Sequence, residues 1–170
     1  MLQSAGYTNG LQVTLITKND QGEPAMAQAL KELAEPAGFI IRVNILEPER
    51  YWEQWTDIDL GITSWGHRPL ATMTLALGYS ALEDGTPSSW NETHWVDEEF
   101  NELLREAEKT LDTDERRAIM CKISAVMGDR GPIGISYWSK AWTIVRDEFQ
   151  HIRPMPSNYD LLYDVWKQTI

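Results

Sequence analysis

Apolar and polar residues recur with two different periods along the first 65 residues of the chain. Alternation with a period of two predicts strands at 11–16 and 41–45, each with one buried face. Apolar residues at helical spacing predict an amphipathic helix at 24–35, closed by a proline and a glycine. A short aromatic helix at 48–55 and a nearly continuous apolar strand at 58–65 follow. Strands that alternate with helices predict an α/β fold with a mostly parallel sheet and helices on both faces.

The remainder of the chain has a different pattern. Residues 69–95 lack a clear period and predict a long irregular segment, of a length that is often functional or docked against other structure. Two amphipathic helices follow, the second opened by Asp112 with Glu115 as a capping pair. Their apolar stripes are Phe100, Leu103, Leu104, Ala107 and Leu111, and then Ile119, Ile123, Val126 and Met127. An extended return strand or hairpin is predicted at 131–147, and a terminal loop and docking segment at 155–166.

Composition and charge narrow the classes of partner. The 170 residues are 42% hydrophobic, enough for one ordinary domain with a core. With 26 Asp and Glu against 15 Lys and Arg, the net charge is −11, which repels nucleic acid and anionic lipid. The single cysteine excludes an internal disulfide and a cysteine metal cage. Together these values favour a small-molecule ligand over a polyanion.

The beginning of the chain and the absence of catalytic motifs add two expectations. The stretch "LQSAGYTNG" reads as the last turn of a helix closed by Gly6, so we expect the chain to be a piece of a longer one. No signal pattern opens it, and no run reaches the roughly 18 apolar residues of a membrane helix. Because G-x-S-x-G, P-loop, H-E-x-x-H and glycine-fingerprint motifs are absent, we expect neither an enzyme nor a cofactor.

The stretch "SWGHRP" at 64–69 is the strongest candidate for a site. It follows the carboxyl end of the predicted third strand, and ligands of open α/β sheets bind outside that edge. Trp65 offers apolar contact area, and Arg68 offers a planar fork for a carboxylate or phosphate. Position and chemistry therefore predict that this stretch contacts a ligand.

Five stretches in order give the chain a resemblance to a known family. They are "AGYTNGLQVTL", "DLGITSWG", "WNETHWVDEEFNELLREAEKTLDTDERRAIMCKI", "GPIGISYW" and "PSNYDLLYDVW". The chain resembles the carboxyl-terminal lobe of the family 5 extracellular solute-binding proteins, the dipeptide, oligopeptide and nickel receptors of ABC importers. The resemblance implies that residues 1–170 form a single lobe of a type II periplasmic-binding-protein-like fold. The ligand would then be enclosed against an absent amino-terminal lobe of the same chain.

The resemblance also raises a question about Arg68. In peptide-binding relatives, an acidic residue three positions after the tryptophan of this loop pairs with the free amino group of the peptide. Arg68 stands at that position here, so the charge is reversed and an ammonium group would be repelled. One interpretation is a ligand with an anionic or hydroxyl-rich group facing Arg68. The other is that the arginine packs its stem on Trp65 and pairs with a surface carboxylate.

The remaining candidate ligand contacts are Gly66 and His67, followed by Tyr137 and Trp138. A lone histidine beside an arginine is a poor metal site, so hydrogen bonding within the loop is the expected role of His67, and no metal is predicted. Most of the eight tryptophans are expected to fill the core, with Trp52, Trp55 and Trp166 as packing residues.

The predicted function is that of a periplasmic substrate-binding component of an ABC importer, or of its membrane-tethered extracellular counterpart in a Gram-positive host. It would capture a peptide or other small solute between two lobes and deliver it to a membrane permease. The alternative is the ligand-sensing domain of a regulator that uses the same fold. A signal peptide in the complete sequence would favour the importer, and an amino-terminal DNA-binding helix pair would favour the regulator.

Overall fold

The computed structural model describes residues 2–20, 22–140, 142–155, 157, 159 and 161–168. The chain divides into two compact units. Unit 1 comprises Met1–Trp65 and Leu77–Val96, and unit 2 comprises Gly66–Ala76 and Asp97–Ile170.

Unit 1 is built on a parallel pair of strands joined by a helix. Strands β1 (Leu11–Lys18) and β2 (Phe39–Leu46) pair in register from Leu11 opposite Phe39 to Lys18 opposite Leu46. Helix α1 (Glu23–Ala34) and a 3-10 turn connect them, and the turn ends at Gly38 with a φ of 91°. That left-handed conformation favours glycine and explains why the 3-10 turn after α1 ends there. The predicted strand, helix and strand are therefore confirmed.

One face of this sheet carries the core of unit 1. Leu15, Ala27, Ile41 and Ile62 form the buried cluster, with Val13, Met26, Ala34, Phe39 and Val43 packed against it. Helix α1 supplies the residues that cover this face, as the period-two pattern of the strands requires. On the other face, side chains such as Thr14, Ile40 and Arg42 are exposed. The parallel α/β sheet is confirmed. Of the helices predicted on both faces of the sheet, α1 covers the face that carries this core.

The predicted third strand at 58–65 forms only a single bridge. Gly61 forms a parallel bridge with Ile16. The Ile16 N–H donates to the Leu60 carbonyl at 3.0 Å, and the Ile62 N–H donates to the Ile16 carbonyl at 3.2 Å. Glycine has no side chain to pack on a sheet, which weakens a strand at its position. The prediction of a full strand was wrong, but the segment does lie beside β1.

Tyr51 ties this segment to helix α2 (Pro48–Trp52). Its side chain is fully buried, its hydroxyl donates to the Ile62 carbonyl at 3.0 Å, and it lies 2.7 Å from the Thr63 hydroxyl. Burial raises the pKa of Tyr51 to about 12, so the group stays neutral. The aromatic helix predicted from the sequence therefore fixes the position of residues 62 and 63.

The segment at 69–95, predicted to be irregular, contains a helix. Helix α3 spans Ala71–Gly78, and an antiparallel bridge joins Ala81 to Pro87. The sequence "ATMTLALG" is apolar or small nearly all round, so it has no polar face that would produce a helical period. The periodicity test could not detect such a helix.

Unit 2 contains the two helices that the sequence predicted. Helix α4 spans Glu98–Lys109 and helix α5 spans Thr113–Arg130. Their buried apolar residues are Phe100, Leu104, Ala107, Ile119, Ile123 and Val126. The Asp112 side chain accepts from the N–H of Glu115, as the capping pair predicted, whereas Leu111 is 90% exposed and lies outside the stripe.

Asp97 links the start of α4 to the end of α5. Its carboxylate accepts from the Phe100 N–H at 2.8 Å and from two nitrogens of Arg130, at 2.6 and 3.2 Å. The hydrogen bonds from Arg130 hold the pKa of Asp97 below its usual range. Asp97 is thus a negatively charged cap with a cationic partner.

This arrangement predicts an acid-dependent contribution to stability. Because the folded-state pKa of Asp97 is depressed, its contribution is complete above the unfolded-state pKa of about 3.9 and is lost as the pH falls through the lower folded value. Asp97→Asn should therefore lower the urea midpoint of unit 2 at pH 7, and the difference from the unmutated protein should shrink towards pH 2.5. Asp114→Asn, at a side chain 87% exposed, is the control and should have little effect.

The predicted return strand does not form within the described residues. Residues 131–140 and 142–147 have no ladder partner in that part of the chain, and Ala141 lies outside the described residues. The regular pairing in this region is instead a short antiparallel pair, β3 (Phe149–Gln150) with β4 (Trp166–Lys167). Residues 156, 158 and 160 of the predicted terminal docking segment also lie outside the described residues. A strand requires an edge to pair with, so an apolar extended sequence alone does not make one.

Candidate functional site

The predicted site residues fall in both units. Trp65 belongs to unit 1 and is half-buried, whereas Gly66, His67 and Arg68 belong to unit 2. Tyr137 and Trp138 also belong to unit 2, where they are 58% and 85% exposed. The Trp65 environment thus belongs to unit 1 and the Arg68 stretch to unit 2.

Trp65 lies among aromatic side chains of unit 1. Its ring centroid is 6.3 Å from that of Tyr79 and 6.2 Å from that of Trp90. Trp90 continues through edge-to-face contacts to Trp55 and then Trp52, at centroid distances of 6.1 and 5.5 Å. Trp52 and Trp90 remain 44% and 47% exposed, so the row presents aromatic surface to its surroundings. Such surface supplies contact area and can stack on a flat or cationic group.

Two carboxylates hold the three residues that end at Trp65. The Thr63 hydroxyl donates to Glu92 Oε2 at 2.5 Å, and the indole N–H of Trp65 donates to Glu92 Oε1 at 3.3 Å. Between them, the Ser64 hydroxyl donates to Glu23 Oε1 at 2.6 Å. Residues 63 and 65 thus bond to one acid, and residue 64 to another.

Glu23 is itself part of a buried ion pair. It pairs with Lys18 through Oε1 and accepts from the Thr17 hydroxyl through Oε2 at 3.0 Å. Glu23 and Lys18 are only 2% and 4% exposed, and the Lys18 ammonium lies 5.2 Å from the Trp52 ring centroid. The end of β1, the start of α1 and the segment before Trp65 are therefore joined through one buried charge pair.

The turn that carries Glu92 is fixed by its neighbour Asn91. The Asn91 side chain is 1% exposed; it donates to the carbonyls of Ser80 and Trp95 and accepts from the Thr93 hydroxyl. Burial raises the pKa of Glu92 above its usual range, against the lowering effect of the Thr63 and Trp65 hydrogen bonds and of the Lys18 charge. The sequence analysis did not identify Glu92, Glu23 or Lys18 as functional candidates.

Arg68 is half-buried and bonds within its own stretch. Its Nη1 donates to the His67 carbonyl at 3.3 Å, whereas the His67 side chain is exposed. Among the described residues of unit 2, no carboxylate lies within ion-pair distance of Arg68. Among those same residues, the surface pairing that the sequence left open as an alternative is not formed.

Histidine, cysteine and carboxylate side chains of the residues that the structure describes form no cluster of three or more that could hold a metal ion.

No known family model matches the chain, and no curated protein matches it. Solved structures do match. Haemophilus parasuis HbpA2 covers 99% of the chain with a TM-score of 0.72 and 17% identity, over 34% of its own length. The Helicobacter pylori periplasmic binding protein DppA, in complex with peptide STSA, covers 77% with a TM-score of 0.66 and 21% identity, over 26% of its length. AgaA of A. tumefaciens R10, in complex with agropinic acid, covers 74% with a TM-score of 0.63 and 22% identity, over 26% of its length.

These matches define the class of fold. The chain has the α/β fold of part of these solved structures, and it spans about a quarter to a third of their length. The resemblance to the family 5 receptors, predicted from five sequence stretches, is confirmed at the level of fold.

Proposed function

We propose that the chain is part of the substrate-binding component of an ABC importer, which binds a small solute and presents it to a membrane permease. The observation that carries the proposal is the match over 77% of the chain to DppA, an ABC transporter-associated periplasmic binding protein. DppA and AgaA, which are similar over about three quarters of the chain, are both solved with a small ligand bound. A binding role follows from this likeness, without any chemical step on the ligand.

The proposed mechanism is closure of two lobes around the solute. Because the chain spans only part of each matched structure, residues 1–170 are assigned to one lobe, and the second lobe to an amino-terminal part of the same polypeptide. Ligand contacts on both lobes favour the closed state and shift the population towards it. The proposed contacts from this chain are Trp65, Gly66, His67, Arg68, Tyr137 and Trp138.

The ligand is proposed to carry an anionic or hydroxyl-rich group that Arg68 binds. Support comes from Arg68 itself, a half-buried residue whose guanidinium bonds to a carbonyl of its own stretch and has no carboxylate partner among the described residues of unit 2. Agropinic acid, bound by AgaA, is an acid, and an arginine suits a carboxylate better than an ammonium. Peptide recognition through a free amino group would need another acidic partner.

The proposed location is the periplasm, or the outer face of the membrane in a Gram-positive host, where an ABC permease can receive the ligand. DppA, which is similar in structure, is a periplasmic binding protein associated with an ABC transporter. Among the described helices, none combines the length and apolar character needed to cross a membrane.

Arg68→Ala tests the proposed ligand contact. In the two-lobed protein that contains this chain, the substitution should weaken ligand binding by about 1.5 to 3 kcal/mol, because a charge-assisted hydrogen bond is lost. Calorimetric titration with agropinic acid and with the peptide Ser-Thr-Ser-Ala gives the affinity of each variant. Arg42→Ala, at an exposed position of β2, is the matched control and should bind as the unmutated protein does.

Two results would contradict the proposal at different levels. Equal affinity of the Arg68→Ala and unmutated proteins for a bound acid would reject the role of Arg68 and retain the receptor. A complete polypeptide that lacks a second lobe, or one that begins with a DNA-binding helix pair, would reject the importer function itself.

A further inference from the structure

The ring of Trp65 is held by two contacts on neighbouring parts of the indole, one at the ring nitrogen and one at Cζ2 of the benzene ring. At the pyrrole edge, the indole N–H donates to Glu92 Oε1 at 3.3 Å. At the benzene edge, Gly78 lies so close that a Cβ atom there would be 2.8 Å from Cζ2 of Trp65. A flip of the ring would break the first contact, and any side chain at residue 78 would displace the second. The orientation of Trp65 therefore depends on these two residues.

Glu92 is held in place independently of Trp65. Its second oxygen accepts from the Thr63 hydroxyl at 2.5 Å, and its backbone N–H donates to the Trp90 carbonyl at 3.0 Å. The preceding residue, Asn91, is buried with three side-chain hydrogen bonds. A carboxylate so constrained can set the position of a group that bonds to it, because its own freedom is already lost.

We propose that Glu92 is the positioning residue of Trp65, fixing the direction in which the indole ring faces the bound solute. The proposal rests on the proposed function for the ligand-binding role of Trp65, whereas the contact itself is a property of unit 1. Glu92 acts through Trp65 and does not itself need to touch the solute.

The charged and titratable groups around Glu92 make its hydrogen bond with the Trp65 indole N–H sensitive to pH. The groups that act on it are Lys18 at the end of β1, Tyr51 in α2 and Tyr79 after α3. Both tyrosines have a pKa raised to about 12 by burial and stay neutral at ordinary pH. The raised pKa of Glu92 means that its carboxylate takes up a proton at a higher pH than an exposed glutamate. Protonation weakens its hydrogen-bond acceptance, so the indole contact should weaken on acidification.

The test follows the indole N–H of Trp65 by nuclear magnetic resonance in the 170-residue chain with ¹⁵N-labelled tryptophan. The signal of Trp65 is the one missing from Trp65→Phe. Glu92→Ala should move this signal or split it into more than one, because the acceptor is lost. Glu92→Gln keeps an acceptor oxygen and should restore a single signal near the original position. Glu83→Ala, at an exposed position of the same unit, is the control.

The pH profile separates positioning from simple support of the fold. The Trp65 signal should titrate with the raised pKa of Glu92 in the unmutated protein and should not titrate in Glu92→Gln. In the two-lobed protein, Glu92→Ala should weaken agropinic acid binding about 3- to 10-fold, and Glu92→Gln should not.

The outcomes are distinguishable from failure of the proposed function. An unchanged Trp65 signal in Glu92→Ala, or one that titrates equally in Glu92→Gln, would overturn the positioning role. If the unmutated two-lobed protein binds no solute, the receptor function fails, while the indole signal still decides whether Glu92 positions Trp65.

Discussion

Replacing Lys18 with methionine is expected to lower the free energy of unfolding of unit 1 by about 3 to 5 kcal/mol. Lys18 and Glu23 are almost completely buried, and Glu23 is bonded on both oxygens. Removal of the ammonium leaves a carboxylate without its counter-charge in a site that water barely reaches. The loss is measured by urea unfolding of the chain, with amide hydrogen exchange in β1 reporting on unit 1.

A double substitution distinguishes the effect of the Lys18–Glu23 charges from the effect of the space that the two side chains fill. Lys18→Met with Glu23→Leu removes both charges, so it should be less destabilising than the sum of the two single changes. Lys31→Met, at an exposed position of α1, is the matched control and should change stability by less than about 0.5 kcal/mol. If Lys18→Met changes the free energy of unfolding as little as the control does, another interaction compensates the buried negative charge of Glu23.

The elements that sequence predicted correctly are those in which pattern and burial agree locally. In β1 and β2, alternate positions face the buried side of the sheet, and α1 begins beside a proline and is followed by a left-handed glycine. These features depend on residues within a few positions of one another. Their agreement explains why both strands and the intervening helix were placed within a few residues.

The elements that sequence missed depend on partners that a local pattern does not contain. The apolar run at 58–65 and the extended run at 131–147 both looked like strands, yet the first forms one bridge and the second no ladder among its described residues. Helix α3 was missed for the opposite reason: it is a real element, but its nearly uniform apolar composition hides the helical period. Pairing and burial are properties of the fold, and a short window of sequence does not encode them.

The sequence selected the candidate site but did not reveal the contacts that support Trp65. Trp65 was selected because it follows a segment that does lie beside β1. Its acidic partners are distant in sequence: Glu92 is 27 residues from Trp65, and Glu23 is 41 residues from Ser64. In a chain with 26 acidic residues, charge alone could not single out these two. The ligand contacts proposed for Trp65, Gly66, His67, Arg68, Tyr137 and Trp138 stay predictions.

The second large effect is expected at Phe100, in the first turns of α4. Its side chain is fully buried in unit 2, where the buried stripe of α4 accompanies that of α5. Phe100→Ala should lower the free energy of unfolding of unit 2 by about 3 to 5 kcal/mol, because apolar area is lost and a cavity is left. Urea unfolding with amide hydrogen exchange in α4 measures the change.

Leu111→Ala is the matched control for Phe100→Ala, because the sequence placed both residues on one apolar stripe. The structure places Leu111 beyond the end of α4 and 90% exposed, so its truncation should change stability by less than about 0.5 kcal/mol. A comparable loss for both variants would mean that Leu111 is buried in solution and that the helical stripe extends as the sequence predicted. A small loss for both would mean instead that the space left by Phe100 is refilled, since only a site able to collapse tolerates such a truncation.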